Sequence, residues 1–160
     1  MVVVRHLEKT DLDELFAVSV TEEQLKFVGT TQEIVEAAPD TSHLHVIVDG
    51  DKIVGMFNLD TAYPNTYDFA KTGELGFRAF LIGHEYQGRG LAKKAMEALR
   101  KHLEAHYAKH GSIVLTVNCK NPVAYRLYLA TGFEDTGELY HGGAAGPQHI
   151  LRMVYAKNSD

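Results

Sequence analysis

The sequence predicts a single α/β domain, residues 1–160, built on a mixed, mostly antiparallel sheet flanked by helices. Three observations carry this. A β-branched run, VVVRHL, opens the chain. Asp49-Gly50 stands between two β-rich runs, HLHVIVDG and DKIVGMFNLD, a pattern that favours a hairpin with φ > 0 at its turn. From residue 75 onward, strand-like and amphipathic helical segments alternate, and strand-helix-strand crossings place parallel neighbours in a sheet.

Each element follows from local pattern. After the opening strand, Thr10 or Asp11 is placed to cap a short helix with Leu12, Leu15 and Phe16 on one face. TEEQLKFVG and TTQEIVEAA read as two further short helical pieces, and the Asp49-Gly50 hairpin follows. TAYPNTYDFAKT, with Pro64 and Asn65, reads as a loop before the strand GELGFRAFLI. From Leu91 the apolar positions Leu91, Ala92, Ala95, Met96, Leu99 and Leu103 keep i, i+3, i+4 spacing, which predicts a long helix with Lys93, Lys94, Arg100 and Lys101 in water. A buried strand SIVLTVNC, a helix NPVAYRLYLATG and two final strands, FEDTGELYH and QHILRMVYA, complete the order.

Composition bounds the function. A chain of 160 residues with 45% hydrophobic content supports one core, and no internal repeat or linker divides it. A net charge of −5 argues against a nucleic-acid partner, which calls for a surplus of Lys and Arg on one face, and suits a cationic substrate better. Cys119 is the only cysteine, so neither an intramolecular disulfide nor a cysteine-based zinc site is expected, which fits a reducing cytoplasm. No apolar run approaches the length of a membrane span, and no membrane association is expected.

The stretch LIGHEYQGRGLAKKAMEAL places Gly88 and Gly90 around Arg89 where the long helix begins. The first turn of a helix leaves backbone N–H groups without intrahelical partners at the positive end of its dipole, an anion site if the preceding chain bends tightly. Gly88 and Gly90 permit that bend and Arg89 adds a cation; a plain strand-to-helix turn uses the same glycines. The stretch is not a P-loop, because Arg89 and Gly90 stand where Lys and Ser/Thr are required. Nor is it a dinucleotide fingerprint, since Lys93 takes the place of the third glycine.

The stretch does resemble the acyl-CoA-binding motif of the GNAT superfamily of N-acetyltransferases, [Q/R]-x-x-G-x-[G/A], with Gln87, Gly90 and Ala92 at its defining positions. NPVAYRLYLATGF is similar to the family's later motif, N-x-x-A-x-x-x-Y-x-x-x-G-F, with Asn121, Ala124, Tyr128, Gly132 and Phe133 in place. The likeness covers most of the chain from the hairpin onward. It implies a GNAT-like fold whose fourth and fifth strands run parallel and splay apart, and an enzyme using acetyl-CoA as acyl donor, with no metal. It also implies that Phe80, Leu81 and Ile82 pair with the pantetheine arm, that the backbone from Gln87 through Gly88, Arg89, Gly90 and Leu91 to Ala92 holds the pyrophosphate, and that Leu81 or Ile82 N–H faces the oxyanion. Tyr128 stands at the family's tyrosine position, that of the general acid for the departing thiolate; a tyrosine packed in a helix interface is the alternative. Glu74 is the candidate base, because period two puts it on one face with Gly76, Arg78, Phe80 and Ile82; a solvated strand-end charge or a water relay are the alternatives. Asn121 caps a helix or touches the pantetheine.

His102, His106 and His110 repeat at i+4, but HLEAH lacks the Glu of a zincin motif, and His43 and His45 merely alternate on a strand, so no metal site is expected. Cys119, Met56, Met96 and Met153 read as packing residues. SVTEEQLKFVG, with Glu22 and Glu23, resembles the corresponding stretch of polyamine and diamine acetyltransferases in the superfamily. GGAAG, residues 142–146, reads as a flexible hairpin loop bordering the acceptor site. The expected activity is acetyl transfer to a primary amine of a small molecule, with a polyamine as one acceptor. A non-catalytic acyl-CoA-binding module and a transferase acting on protein amino groups are the alternatives, and a homodimer is an open assembly state.

Overall fold

Seven strands form one sheet in the order β1-β2-β3-β4-β5-β7-β6 in the computed structural model, which describes residues 1–22 and 29–156. They are β1 (Val2–His6), β2 (Ser42–Asp49), β3 (Lys52–Asp60), β4 (Leu75–Ile82), β5 (Ser112–Asn118), β6 (Glu134–Tyr140) and β7 (Gln148–Val154). Among the described residues, four α-helices lie against the sheet: α1 (Leu12–Phe16), α2 (Thr31–Ala37), α3 (Leu91–His106) and α4 (Pro122–Ala130). The Asp49-Gly50 turn joins β2 and β3 as the sequence predicts, with Gly50 at φ +66°. Most of the segment TEEQLKFVG, including Glu23, lies outside the described residues. No described helix is long and apolar enough to cross a membrane.

The predicted stripe of α3 is the face that packs, with Leu91, Ala95, Met96, Leu99 and Leu103 all buried. Each buried leucine contributes on the order of 1.5–3 kcal/mol of hydrophobic stabilisation, so this stripe anchors the helix on the sheet. On that side α3 and α4 cover Phe57, Leu59, Leu75, Phe77, Ile113 and Leu115. Leu15 and Val18 close a second core over Val46, Met56 and Leu81 on the opposite face. Asp11 does not cap α1 with its side chain; its carboxylate instead accepts two hydrogen bonds from Arg5, at 2.8 and 3.0 Å, and one from the Glu8 amide.

Two irregularities shape the sheet's centre. β4 and β5 are parallel but pair only at Leu75 with Ile113 and Gly76 with Val114, after which they part. Opposite β3, the register of β4 slips between Met56 and Asn58, and Ala79 takes φ +57°, the chain's one described non-glycine residue with positive φ. The bulge inserts a residue and reverses the alternation. Phe77 lies before it and Phe80 and Ile82 after it on the same side, against the α3–α4 core. Gly76 and Arg78 face the other way, toward Tyr63. The expected shared face of Glu74, Gly76, Arg78, Phe80 and Ile82 is therefore split, because period two holds only through an unbroken strand.

Candidate active site

The parting of β4 from β5 opens a cleft of about 1550 Å³. One wall is the free length of β4 from Phe77 to Ile82, and the other is Leu115 to Asn118 of β5. Backbone groups along these inner edges lack the strand partner they would have in a closed sheet, so an extended ligand can occupy its place. Gly83 N–H donates to Val54 O of β3 at 2.7 Å. By the alternation of a strand, the Phe80 and Ile82 amides point to the opposite edge, into the cleft. Of the two amides expected to face an oxyanion, Ile82 has this orientation.

At one end of the cleft stands the start of α3. Gly88 and Gly90 have φ of +80° and +73°, and an added Cβ at either would meet nothing within 4 Å. The turn thus owes its glycines to backbone conformation and not to crowding, and its surface is bare toward the cleft. Gly90 is the N-cap of α3, so the first amides of the helix have no preceding carbonyls to bond. Gln87 donates from Nε2 to Ile82 O at 3.0 Å, which ties this turn to the end of β4. Gln87, Gly88, Gly90, Leu91 and Ala92 line the cleft. Arg89 does not; its guanidinium lies 5.9 Å from the centre of the Tyr86 ring.

Tyr128 comes from α4 to the middle of the cleft, where its ring packs on Phe77, Phe80 and Phe133 at centroid distances of 6.2, 6.3 and 5.7 Å. Its hydroxyl makes no hydrogen bond to another described residue, and burial pushes its pKa up, so the phenol stays protonated. Asn121 lines the same cleft and caps α4, its Oδ1 accepting from Ala124 N at 3.3 Å. The GGAAG loop also borders the cleft, held by Asn118 Nδ2 donating to Ala145 O at 3.1 Å.

Glu74 is not in the cleft, and its assignment as base is corrected. It precedes β4, is only 1% exposed, and accepts from Arg152 at 2.7 and 3.0 Å, from Ser112 Oγ at 2.7 Å and from the Lys71 amide at 3.0 Å. Burial alone would raise its pKa, but these donors outweigh it and hold the carboxyl below its usual range. A carboxylate so fully bonded is a structural ion, joining the start of β4 to β5 and β7.

The carboxylates that do line the cleft, among the described residues, are Glu33 of α2 and Asp60 at the end of β3. Asp60 is buried, accepts from the Ala62 amide at 2.9 Å, and pairs with Arg78 at 3.3 Å. The Arg78 guanidinium lies 5.9 Å from the centres of both the Tyr63 and Tyr67 rings, so a carboxylate and two aromatic faces surround a cation at this wall. Beside them Asn58, 6% exposed, has a buried side-chain oxygen with no hydrogen-bond partner among the described residues. A buried acceptor left unsatisfied costs about 1–3 kcal/mol. Sequence reading missed Asn58 and Asp60. The available signal was two polar residues at alternate positions, Asn58 and Asp60, ending the otherwise apolar run of β3.

Residues 4–133 match the model of the acetyltransferase (GNAT) family. The chain is 33% identical over 127 residues to a spermine/spermidine N(1)-acetyltransferase of Bacillus subtilis, covering 78% of this chain and 82% of that protein. In fold it is similar to the aminoglycoside acetyltransferase AAC(6')-Ib in complex with coenzyme A and kanamycin, with a TM-score of 0.77, 18% identity, and coverage of 96% and 95% of the two chains. A spermidine N-acetyltransferase chimera from Vibrio cholerae and hSSAT superposes with a TM-score of 0.68 at 20% identity, covering 96% and 95%.

Proposed function

The chain belongs to the acetyltransferase (GNAT) family and is an acetyl-CoA-dependent N-acetyltransferase; on that premise, we propose that it acetylates a primary amine of a small polycation of the polyamine type. The observation that carries this reading is the Asn58 oxygen, without a hydrogen-bond partner among the described residues, beside the Asp60 carboxylate and the Tyr63 and Tyr67 rings, a cation-binding wall that now holds Arg78 and that an alkylammonium would share with it. The likeness to a spermine/spermidine N(1)-acetyltransferase supports it.

Acetyl-CoA supplies an acetyl carbon activated as a thioester. The free edge of β4 at Phe80, Leu81 and Ile82 takes the extended pantetheine arm, and the amides of the turn from Gln87 to Ala92 take the pyrophosphate. Ile82 N–H faces the oxygen on which charge develops during attack. An alkylammonium must lose a proton before it attacks, and Asp60 accepts it, directly or through water. Tyr128 provides the proton for the departing sulfur. The test is acetyl-CoA consumption, followed as thiol release, across polyamines, diamines, aminoglycosides and lysine peptides. Polyamines are expected to give the highest kcat/KM. Turnover of lysine peptides alone would reject the acceptor class, and binding of acetyl-CoA with no thiol release would favour a non-catalytic module.

Two substitutions probe the two ends of the cleft. Asn58→Leu removes a buried unsatisfied acceptor with little change of shape. Denaturant unfolding is expected to show a gain of about 1–3 kcal/mol in stability, while KM for the polyamine rises about 10-fold or more. Lower stability with an unchanged KM would make Asn58 an ordinary packing residue. Gly90→Val places a β-branched residue at φ +73°, which costs about 1–2 kcal/mol, and puts a side chain over the helix amides. Calorimetric titration is expected to show acetyl-CoA binding weakened about 10-fold or more, as for loss of a charge-assisted hydrogen bond. Unchanged affinity in a folded variant would remove this turn from the pyrophosphate site.

A further inference from the structure

Away from the cleft, five histidines gather where β1, β2 and the C-terminal half of α3 meet. His6 closes β1, His43 and His45 lie on β2, and His102 and His106 project from α3 one turn apart. None of the five lines the active-site cleft. The nitrogens of His6, His45 and His102 all lie within 4.8 Å of one another, and among the described residues none of the three pairs with a carboxylate. His45 is completely buried, His102 half-buried and His6 exposed, so the group runs from the core to solvent.

One hydrogen bond fixes where the free lone pair of His45 points. His45 Nδ1 lies 2.8 Å from His43 O, and a carbonyl only accepts, so the ring proton is on Nδ1. His45 Nε2 is then a bare lone pair, and it faces His102 Nε2 at 3.0 Å. A ring held by an N–H to a backbone carbonyl, with its other nitrogen turned toward a second imidazole, has the orientation of a metal-bound histidine. His6 Nε2 and His43 Nδ1 share the Tyr107 hydroxyl at 3.1 and 2.7 Å.

We propose that His6, His45 and His102 form a binding site for a divalent transition-metal ion, which clamps the β1–β2 edge of the sheet to α3. Three imidazoles without thiolate or carboxylate suit zinc, cobalt, nickel or copper and do not suit magnesium or calcium. A fourth position is open to water or to His106, whose ring centre is 4.9 Å from that of His102. The expectation of no metal site weighed HLEAH and the His43–His45 strand pair separately, and neither alone supplies more than part of the cluster, whose ligands come from β1, β2 and α3. This inference is independent of the acceptor proposed above, because the site lies outside the cleft.

The test uses the full chain without a polyhistidine tag, stripped with chelator. Cobalt(II) titration is expected to give visible d–d bands saturating at one ion per chain, displaced by zinc, and zinc is expected to raise Tm with increasing concentration. His6→Asn and His102→Gln change the two accessible ligands and spare buried His45. Each is expected to weaken cobalt binding by more than the roughly 10- to 100-fold typical of losing an outer-shell partner. His141→Ala, at an exposed position outside the cluster, is expected to leave it unchanged. Failure of the wild-type chain to bind cobalt or zinc, or equal binding by the His6 and His102 variants, would overturn the site. Should a variant fail to fold, imidazole ¹⁵N spectra of the wild type decide. Zinc must shift the resonances of His6, His45 and His102 among the nine histidines, and shifts confined to the others would refute it.

Discussion

Tyr128→Phe is expected to lower kcat by about 10² to 10⁴ with little change in stability or in affinity for acetyl-CoA. The phenol hydroxyl makes no hydrogen bond to another described residue, so removing it leaves no partner stranded, and Phe retains the contacts with Phe77, Phe80 and Phe133. The residue is buried yet lines the cleft, so its hydroxyl is a donor that a bound ligand can meet. Burial raises its pKa, so the proton is present throughout the working pH range and no limb of the kcat profile belongs to it. The loss should fall on kcat, since the bond to the departing sulfur strengthens only in the transition state. Single-turnover thiol release with the best amine isolates that step. Wild-type rates in the Phe variant would assign the proton to water and leave Tyr128 as part of the aromatic wall.

Much of this fold was legible in the sequence because its signals are local. The Asp49-Gly50 hairpin needs φ > 0 within two residues, and the stripe Leu91, Ala95, Met96, Leu99 and Leu103 needs only the helical period. The turn before α3 was readable for the same reason: Gly88 and Gly90 do take positive φ, and Gln87 ties the turn to β4. What escaped depends on tertiary partners. The bulge at Ala79 is set by register against β3 and by the separation from β5, and no residue type nearby announces it. Glu74 resembled a cleft carboxylate because an unbroken period was assumed through that bulge. Arg152, 78 positions away, is what fixes its role. Asn58 and the histidines acquire meaning in the same way, from neighbours that only the folded chain supplies.

Glu74→Gln, accordingly, is expected to unfold the protein more readily and to leave catalysis per folded molecule intact. The substitution keeps the shape but removes the anion from Arg152, itself only 18% exposed on its side chain, and leaves a buried guanidinium without its countercharge. Removing one partner of a buried pair typically costs about 3–5 kcal/mol, a large share of the roughly 5–15 kcal/mol that stabilises a domain. Phe69 O still accepts from Arg152 at 2.9 Å, but a carbonyl does not neutralise it. The pH dependence carries a sign that checks the same assignment. The folded pKa of Glu74 lies below its unfolded value, so its contribution is fully present above the unfolded carboxyl pKa of about 4.3 and is lost as pH falls through the folded pKa. Wild type should therefore lose stability across that acidic window more steeply than Glu74→Gln, which has no proton to take up there. Replacing both partners, Glu74→Met with Arg152→Met, should recover much of the loss, because an apolar pair leaves no charge buried. Denaturant unfolding from pH 7 down to about pH 3, with thiol release measured on the folded fraction, separates the two roles. A folded Glu74→Gln enzyme with kcat reduced 100-fold or more would return this carboxylate to the chemistry and require that β4 open far enough to expose it.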